Sequence, residues 1–173
     1  MNTSRLYTHY LITFLFGTLF LFCFSISIAQ PILPQKSITV LPTQSLHFGT
    51  FCVTGPTGGT VTVGYDGSRT STGEIILLTV APVAQPAIFE IKLCQGRNVC
   101  IDFNPPVILL TGPGGTLSLK IGPTDNGDNG ARFLTNSDCN FITPLRVGGT
   151  LTVPGSTLPG AYSGSFAINF IQQ

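Results

Sequence analysis

Hydrophobic and polar side chains alternate along much of this chain, and the alternation is clearest in its last stretch, PGAYSGSFAINFIQQ. Tyr162, Gly164, Phe166, Ile168 and Phe170 fall on one face there, with small or polar residues between them. A period of two is typical of a half-buried β-strand. Neither a charge nor a proline interrupts this strand, so its apolar face has to be buried, inside the domain or against another chain.

The same alternation predicts strands elsewhere. Five stretches are rich in β-branched residues and bounded by Gly or Pro: LHFGTFCV, EIILLTVA, AIFEIKL, VCIDF and PPVILL. Three motifs, GGTVTV, GGTLSL and GGTLTV, begin at Gly58, Gly114 and Gly148, and we interpret them as one hairpin device used three times. About eight to ten strands at a spacing of about 8–12 residues, with no helical period among them, predict an all-β antiparallel sandwich.

The first part of the chain has a different pattern. An apolar run from Tyr10 to Ile28 follows Arg5, and small residues precede Gln30 as they do at a signal-peptidase site. We predict a cleaved signal helix over residues 1–29. An uncleaved anchor is the alternative, because a membrane span needs about 20 apolar residues. An extended arm with three prolines over residues 30–44 and a sandwich domain over residues 45–173 complete the predicted organisation.

Composition and charge fit an exported, turn-rich β-protein. Charged residues make up only 9% of the chain, which has 20 glycines and 13 prolines. Once Arg5 leaves with the signal, seven Lys or Arg residues balance seven Asp or Glu residues. Because binding nucleic acid requires a basic face, we exclude nucleic acid as a partner. No second apolar run follows, so we predict no membrane span after cleavage.

Four cysteines remain after the signal: Cys52, Cys94, Cys100 and Cys139. An even number in an exported chain predicts two disulfides, and four cysteines permit three connectivities. We favour Cys94–Cys100, which closes the short CQGRNVC loop, together with Cys52–Cys139, which ties distant strands. Four reduced thiols are the alternative.

Residues suited to catalysis are few. His47, the one histidine after the signal, stands between two apolar residues and is expected on the solvent face of its strand. The chain has no G-x-S-x-G elbow, no H-E-x-x-H motif and no Cys/His zinc spacing. Four carboxylates remain as candidates for a hydrolytic pair: Asp66, Glu74, Asp102 and Asp138. We favour surface positions for them and predict no enzyme and no cofactor.

One loop has the composition of a calcium site. TDNGDNGAR places Asp125 and Asp128 among Asn and Gly residues, and carboxylate and amide oxygens are calcium ligands. A loop of the EF-hand kind also needs a glutamate where this chain has Asn136. Because Asn-Gly pairs form turns by themselves, we favour a plain exposed loop, with calcium at Asp125 and Asp128 as the alternative.

Three segments carry a resemblance to a family: SLHFGTF, GGTVTVGYDGSRTSTGEIIL and GGTLTVPGSTLPGAYSGSFAINF. Together they are similar to the bacterial domain of unknown function 4402 family, over most of Ser45 to Phe170. The last segment also resembles the closing strand of pilin-like and spore-coat-like domains, with Gly160 fourteenth from the end. Gln172 stands where chaperone–usher pilins usually have an aromatic residue. The resemblance implies an immunoglobulin-like or pilin-like β-sandwich with a structural or adhesive role and no catalytic residues.

These observations predict a secreted, fimbrial-subunit-like protein in the periplasm, at the surface or outside a bacterium. Its final strand is either a core strand paired on both sides or an edge that accepts a strand. The donor would be the arm, in the same chain, in another copy or in another surface subunit. The alternative function is a secreted binding module for a carbohydrate or small ligand, although the chain has no Trp and its Phe residues alternate as in a core. A hydrolase that uses a pair of carboxylates is the third hypothesis.

Overall fold

The computed structural model describes residues 38–93, 97–136, 138 and 140–172. The predicted signal helix, the arm before residue 38, Cys94 and Cys139 lie outside the described residues. Within them, every helix or strand assigned is a β-strand and every strand pair is antiparallel. The prediction of an all-β antiparallel fold is therefore confirmed. Over the same residues, no helix has the length and apolarity needed to cross a membrane.

Twelve strands are described, in the chain order β1 (Thr39–Gln44), β2 (Phe51–Val53), β3 (Gly59–Val63), β4 (Arg69–Gly73), β5 (Ile75–Leu77), β6 (Ala87–Lys92), β7 (Asn98–Phe103), β8 (Val107–Gly112), β9 (Gly115–Thr124), β10 (Arg132–Leu134), β11 (Thr143–Val153) and β12 (Ile168–Gln172). A seven-stranded sheet has the path β1-β6-β11-β3-β4, with β9 beside β11 and β8 beside β9. A three-stranded sheet has the order β10-β7-β12, and β2 pairs with β5.

The long strand β11 organises the seven-stranded sheet. Its residues 143–147 pair with β6, its residues 149–153 with β3, and its residues 147–152 with β9. Residues 149–152 therefore have a partner strand on both edges. One long strand thus joins the β1–β6 pair to the β3–β4 hairpin and to the β8–β9 hairpin.

The three glycine-pair motifs do not share one role. Two of them start strands as predicted, since β3 begins at Gly59 and β9 begins at Gly115. The third pair, Gly148–Gly149, lies in the middle of β11, so its interpretation as a hairpin device is wrong. A Cβ atom at Gly148 would lie 2.5 Å from the carbonyl oxygen of Val63, and only glycine allows the backbones to approach this closely.

The two larger sheets contribute to one buried cluster. Val61 of β3, Ile91 of β6 and Leu145 of β11 come from the seven-stranded sheet and are 0% exposed. Ile101 and Phe103 of β7 come from the three-stranded sheet and are as completely buried, at 0% and 1%. These strands alternate buried and more exposed positions, so each sheet turns one face to the shared core.

β1 lies in the segment predicted to be an extended arm. It pairs with β6 from Thr39 opposite Lys92 to Gln44 opposite Ile88, with a bulge after Pro42. Residues 39–44 are therefore an edge strand of the seven-stranded sheet in their own chain. Within this chain β6, and not the C-terminal strand, supplies the backbone partners of residues 39–44, and pairing of the arm with the C-terminal strand of another copy stays a prediction.

The first and last strands both have one end beside the connection between β6 and β7. Thr39 of β1 is opposite Lys92, the last residue of β6. Gln172 of β12 is opposite Val99, the second residue of β7. β1 therefore begins, and β12 ends, at the end of the domain where β6 leads into β7.

Candidate assembly site

The C-terminal segment, defined here as residues 161–172, crosses from one large sheet to the other. Ser163 and Thr111 of β8 exchange two backbone hydrogen bonds of 2.8 and 3.0 Å. Further along, β12 pairs with β7 from Ile168 opposite Phe103 onward. The segment thus leaves the edge of the seven-stranded sheet and becomes a strand of the three-stranded sheet.

Side-chain burial along the segment follows the alternation in the sequence. Tyr162, Phe166, Ile168 and Phe170 are half-buried and pack against the core, whereas the residues between them are exposed. Gly164 is exposed, but it faces β8 as the alternation predicts: a Cβ atom there would lie 2.8 Å from a methyl group of Leu110. The segment therefore presses closely on β8 at this point.

Tyr162 anchors the start of the segment. Its hydroxyl donates to the carbonyl oxygen of Leu158 at 2.9 Å and accepts from the backbone N–H of Gly114 at 3.1 Å. Its ring lies where a side chain at Gly112 would fall. Tyr162 and Gly164, two consecutive inward positions, therefore both contact β8 or the turn that follows it.

Three phenylalanines form an aromatic cluster between the sheets. The ring of Phe89 on β6 lies 6.2 Å from that of Phe166 and 6.4 Å from that of Phe170, centroid to centroid. The interplanar angles are 71° and 57°, close to the edge-to-face arrangement that aromatic rings favour. All three side chains are only half-buried, so part of this cluster remains open to solvent.

The backbone of β7 shows which edge of β12 is occupied. The N–H of Ile101 donates to Ala131 at 2.9 Å, and its carbonyl accepts from Gly130 at 2.8 Å, so Ile101 bonds toward the β10 side. Alternate residues of an antiparallel strand bond to opposite neighbours. Cys100 and Asp102 are therefore the residues of β7 that bond to β12.

It follows that no strand of the described part of the chain pairs with the other edge of β12, defined here as its open edge. Cys100 and Asp102 face Ile171 and Asn169, so those two residues of β12 use their backbone groups on β7. Ile168 and Phe170 turn their N–H and C=O groups the opposite way, and no strand of the described residues pairs with that edge. Among the described residues β12 has a partner strand on one edge only, and pairing on both sides stays a prediction.

β12 differs from the other sheet edges in lacking protection. β1 has Pro42 and a bulge, β4 begins with Arg69, β10 is three residues long and begins with Arg132, and β8 is covered at Thr111 by the C-terminal segment. β2 and β5 are three residues long each. Natural edges are blunted by such charges, prolines, bulges and short lengths. β12 has five uncharged residues and no bulge.

The four candidate carboxylates each have a separate local partner. Asp66 accepts from the N–H and hydroxyl of Ser68 at 2.9 and 2.6 Å, and the hydroxyl bond is the main reason that its pKa is lowered. Glu74 accepts from Thr57 in the same way, at 2.8 and 2.6 Å, and its pKa is lowered too.

The other two carboxylates are engaged elsewhere. Asp102 accepts from the side-chain amide of Asn169 at 3.4 Å, and Asp138 accepts from the N–H of Asn140 at 2.9 Å. Across the described part of the chain, no three His, Cys, Asp or Glu side chains are grouped so as to hold a metal ion.

The candidate calcium loop is tied to β11 through Asp125. One carboxylate oxygen of Asp125 accepts from the N–H of Arg146 at 3.0 Å, and the other lies 3.5 Å from the Arg146 guanidinium. The backbone carbonyl of Asp128 accepts from Ala131 within its own turn. The ion pair accounts for Asp125 without a metal, and calcium binding stays an alternative prediction.

Among the described residues, neither Cys52 on β2 nor Cys100 on β7 forms a disulfide. Cys52 is exposed, and the Sγ atom of Cys100 lies 3.5 Å from the carbonyl oxygen of Gly130. Their predicted partners, Cys139 and Cys94, lie outside the described residues, so both pairings stay predictions.

His47 and Arg69 organise loops. His47 is half-buried, and its Nδ1 accepts from the N–H of Gly49 at 2.9 Å. The guanidinium of Arg69 donates to Leu78 at 3.0 Å and to Thr50 at 2.8 Å, while its Nε is buried without a partner in the described residues. Sequence reasoning missed the role of Arg69, although the residue lies in the G-x-R of a segment that carries the family resemblance.

Comparison with known proteins gives one match. A family model described as "Domain of unknown function (DUF4402)" matches residues 38–171. The matched region begins one residue before β1 and ends one residue before the end of β12, so it spans the whole described domain. No curated protein and no solved structure matches the chain.

Proposed function

Because this chain belongs to the DUF4402 family, whose description names no activity, we propose its function from its own geometry. The protein is a secreted structural or adhesive subunit of the bacterial surface, similar to a fimbrial subunit. It assembles by accepting an extended strand at the open edge of β12. The partner is another copy or a different surface subunit.

The observation that carries this proposal is the unprotected edge of β12. In β-strand addition, main-chain hydrogen bonds supply affinity and alternate side chains supply specificity. Ile168 and Phe170 offer backbone groups at this edge, and each bond made there contributes about 0.5–1.5 kcal/mol. The incoming strand also covers the half-buried aromatic cluster of Phe89, Phe166 and Phe170. An apolar residue at alternate positions is therefore the expected feature of the partner.

The shared core supports an immunoglobulin-like or pilin-like sandwich as the architecture of this subunit. Both larger sheets contribute to one buried cluster, and the C-terminal segment passes from one to the other. Strands that switch from one sheet to the other form the corners of orthogonally packed sheets. An added strand beside β12 would extend the three-stranded sheet.

Analytical ultracentrifugation of the secreted protein tests the proposal. We expect the native protein to form species larger than a monomer and the double variant Asn169→Lys, Ile171→Lys to lose them, because lysines on an edge strand disfavour pairing. Leu134→Lys is the matched control: Leu134 is 65% exposed and lies on β10, at the other edge of the same sheet. A native protein that stays monomeric, or a control that loses assembly equally, would contradict the proposal.

A further inference from the structure

β1 is held to the domain by one neighbour and by little buried side-chain surface. Val40 and Gln44 are half-buried, whereas Thr39, Leu41, Pro42 and Thr43 are exposed. Leu41 is 56% exposed although it is a large apolar residue. Among the strands that the structure describes, β1 pairs with β6 alone, and the proline within it has no backbone N–H to donate. Strands with few buried contacts open at low free-energy cost.

The fixed part of the fold begins immediately after β1. The backbone N–H and C=O of His47 bond to Gln85 at 2.9 and 2.8 Å, and the next residue, Phe48, is buried. Only Ser45 and Leu46 separate Gln44 from this anchor. The carbonyl oxygen of Ser45 accepts from the side-chain amide of Gln85 at 3.1 Å, and Leu46 packs against the core. A two-residue connection therefore joins β1 to the domain, and short connections favour exchange of the strand they carry.

β6 needs a strand at the edge that β1 covers. The β1 pairing runs along β6 from Ile88 to Lys92, and the side chain of Gln44 adds a 2.7 Å bond to the carbonyl oxygen of Pro86. If β1 leaves, these groups lose their partners. A second copy carries the identical strand, so its β1 makes the same bonds on the vacated edge.

We infer that copies of this protein exchange β1, so that β1 of one copy pairs with β6 of another. The inference rests on the proposed structural function and names a segment of the chain that joins the copies. It also assigns that segment an acceptor, β6, distinct from the β12 edge. Because exchanged and intrachain pairing share the same bonds, exchange costs only the entropy of association, which a high local concentration at a surface reduces.

Paired cysteines test the exchange directly. Leu41 of β1 lies opposite Glu90 of β6. Opposite residues in antiparallel strands have Cα atoms about 4.5–5.5 Å apart, which a disulfide spans. One chain carrying Leu41→Cys and a second, tagged chain carrying Glu90→Cys are produced in the same cells and exported together. We expect a covalent heterodimer on non-reducing electrophoresis that disappears on reduction.

The matched control uses a strand pair that a tight turn keeps in one chain. Thr60 and Thr72 lie opposite each other in the β3–β4 hairpin. Chains carrying Thr60→Cys and Thr72→Cys separately should give no heterodimer, whereas a heterodimer at the same level would overturn the inference. Leu41→Cys and Glu90→Cys in one chain report the intrachain pairing. Closure within that chain without any heterodimer from the separate chains would overturn exchange, as would failure of both.

The two proposals fail independently. Suppose that the β1–β6 heterodimer forms and that the larger species persist in the variant Asn169→Lys, Ile171→Lys. This result would refute assembly at the β12 edge and would support exchange. Larger species that depend on the β12 edge but yield no heterodimer would refute exchange alone.

Discussion

Arg69 illustrates, at the scale of the residue, how a charged side chain can hold loops together. Its guanidinium bonds two carbonyl oxygens, of Thr50 before β2 and Leu78 after β5, from a position on β4. Burial lowers the pKa of this group, but arginine stays charged in proteins. The planar fork reaches both oxygens at once, which a lysine ammonium does not reproduce.

We therefore expect Arg69→Lys to destabilise the protein. Each hydrogen bond to a charged group contributes about 1.5–3 kcal/mol, so loss of one bond should lower the free energy of unfolding by about that amount. Urea unfolding followed by fluorescence or circular dichroism measures the change. Lys120→Met, on the exposed face of β9, is the control and should leave the midpoint nearly unchanged. Equal effects of the two substitutions would show that the fork of Arg69 is unimportant.

Glu74 gives a pH-dependent prediction. The hydroxyl and N–H of Thr57 hold its pKa below the ordinary value of 4.5, the hydroxyl bond being the larger cause. A carboxyl whose folded pKa is lowered adds stability that is present above its ordinary pKa and lost as the pH falls through the lowered one. Thr57→Val removes the hydroxyl donor, so the Glu74 pKa should rise toward 4.5.

Carbon-detected NMR titration of the carboxyl groups measures this shift between the folded proteins. Asp66 is an internal reference, since its pKa is lowered by Ser68 and not by Thr57. A Glu74 pKa that does not move in Thr57→Val would show that the hydroxyl bond seen here does not persist in solution.

At the scale of the element, the centre of β11 depends on its glycines. A methyl group at Gly148 would lie 2.5 Å from the backbone oxygen of Val63, which is fixed in a strand pair. A methyl group at Gly149 would lie 3.0 Å from methyl groups of Leu119 and Leu46, whose side-chain ends can rotate. The Gly149 methyl group would also lie 3.2 Å from the backbone oxygen of Lys120, so the backbone obstacle is closer at Gly148 than at Gly149.

We expect Gly148→Ala to lower the free energy of unfolding by about 1–3 kcal/mol, as overpacking does, and Gly149→Ala to cost less. Thermal or urea unfolding of the two variants gives the comparison, with Gly149→Ala as the control for lost glycine flexibility. The reverse order would mean that β11 adjusts more easily at Val63 than its pairing with β3 indicates.

Sequence patterns located many strands but not their lengths. AIFEIKL, VCIDF and PPVILL correspond to β6, β7 and β8, because β-branched alternation reports a local preference. LHFGTFCV yields only the three residues of β2, since His47 pairs with Gln85 earlier in that stretch. β4 and β10 were missed: RTSTG has no apolar alternation, and three residues of β10 are too few to show a period.

The candidate site was predictable as a face but not as an edge. The alternation from Tyr162 to Phe170 identifies the positions that turn inward, and all of them except the exposed Gly164 are half-buried. Which edge of β12 is open follows from the bonds of Ile101 on the β10 side, and these residues are distant from β12 in sequence. The pairing of β1 with β6 is equally invisible in the chain, because any uncharged alternating strand satisfies the same pattern.

At the scale of the whole molecule, the small number of charged residues means that any association between copies would depend mainly on the strand edges. The chain has a formal net charge of only +1, so long-range repulsion between copies is weak. In the proposed assembly, discrimination between partners would rest on backbone pairing and on the shape of the aromatic cluster. If both proposals hold, the exchangeable strand β1 and the open edge of β12 would give each copy two directions of contact and permit assemblies that do not close.

The shared location of the first and last strands has a consequence for engineering the domain. Because β1 begins and β12 ends at the connection between β6 and β7, a linker from Gln172 back to Thr39 need not cross the domain. A circular permutant with new termini at the exposed β8–β9 turn, between Gly114 and Gly115, would preserve all the other described strand pairs. In such a chain β1 is tethered at both ends, so the domain is locked into its single-copy topology.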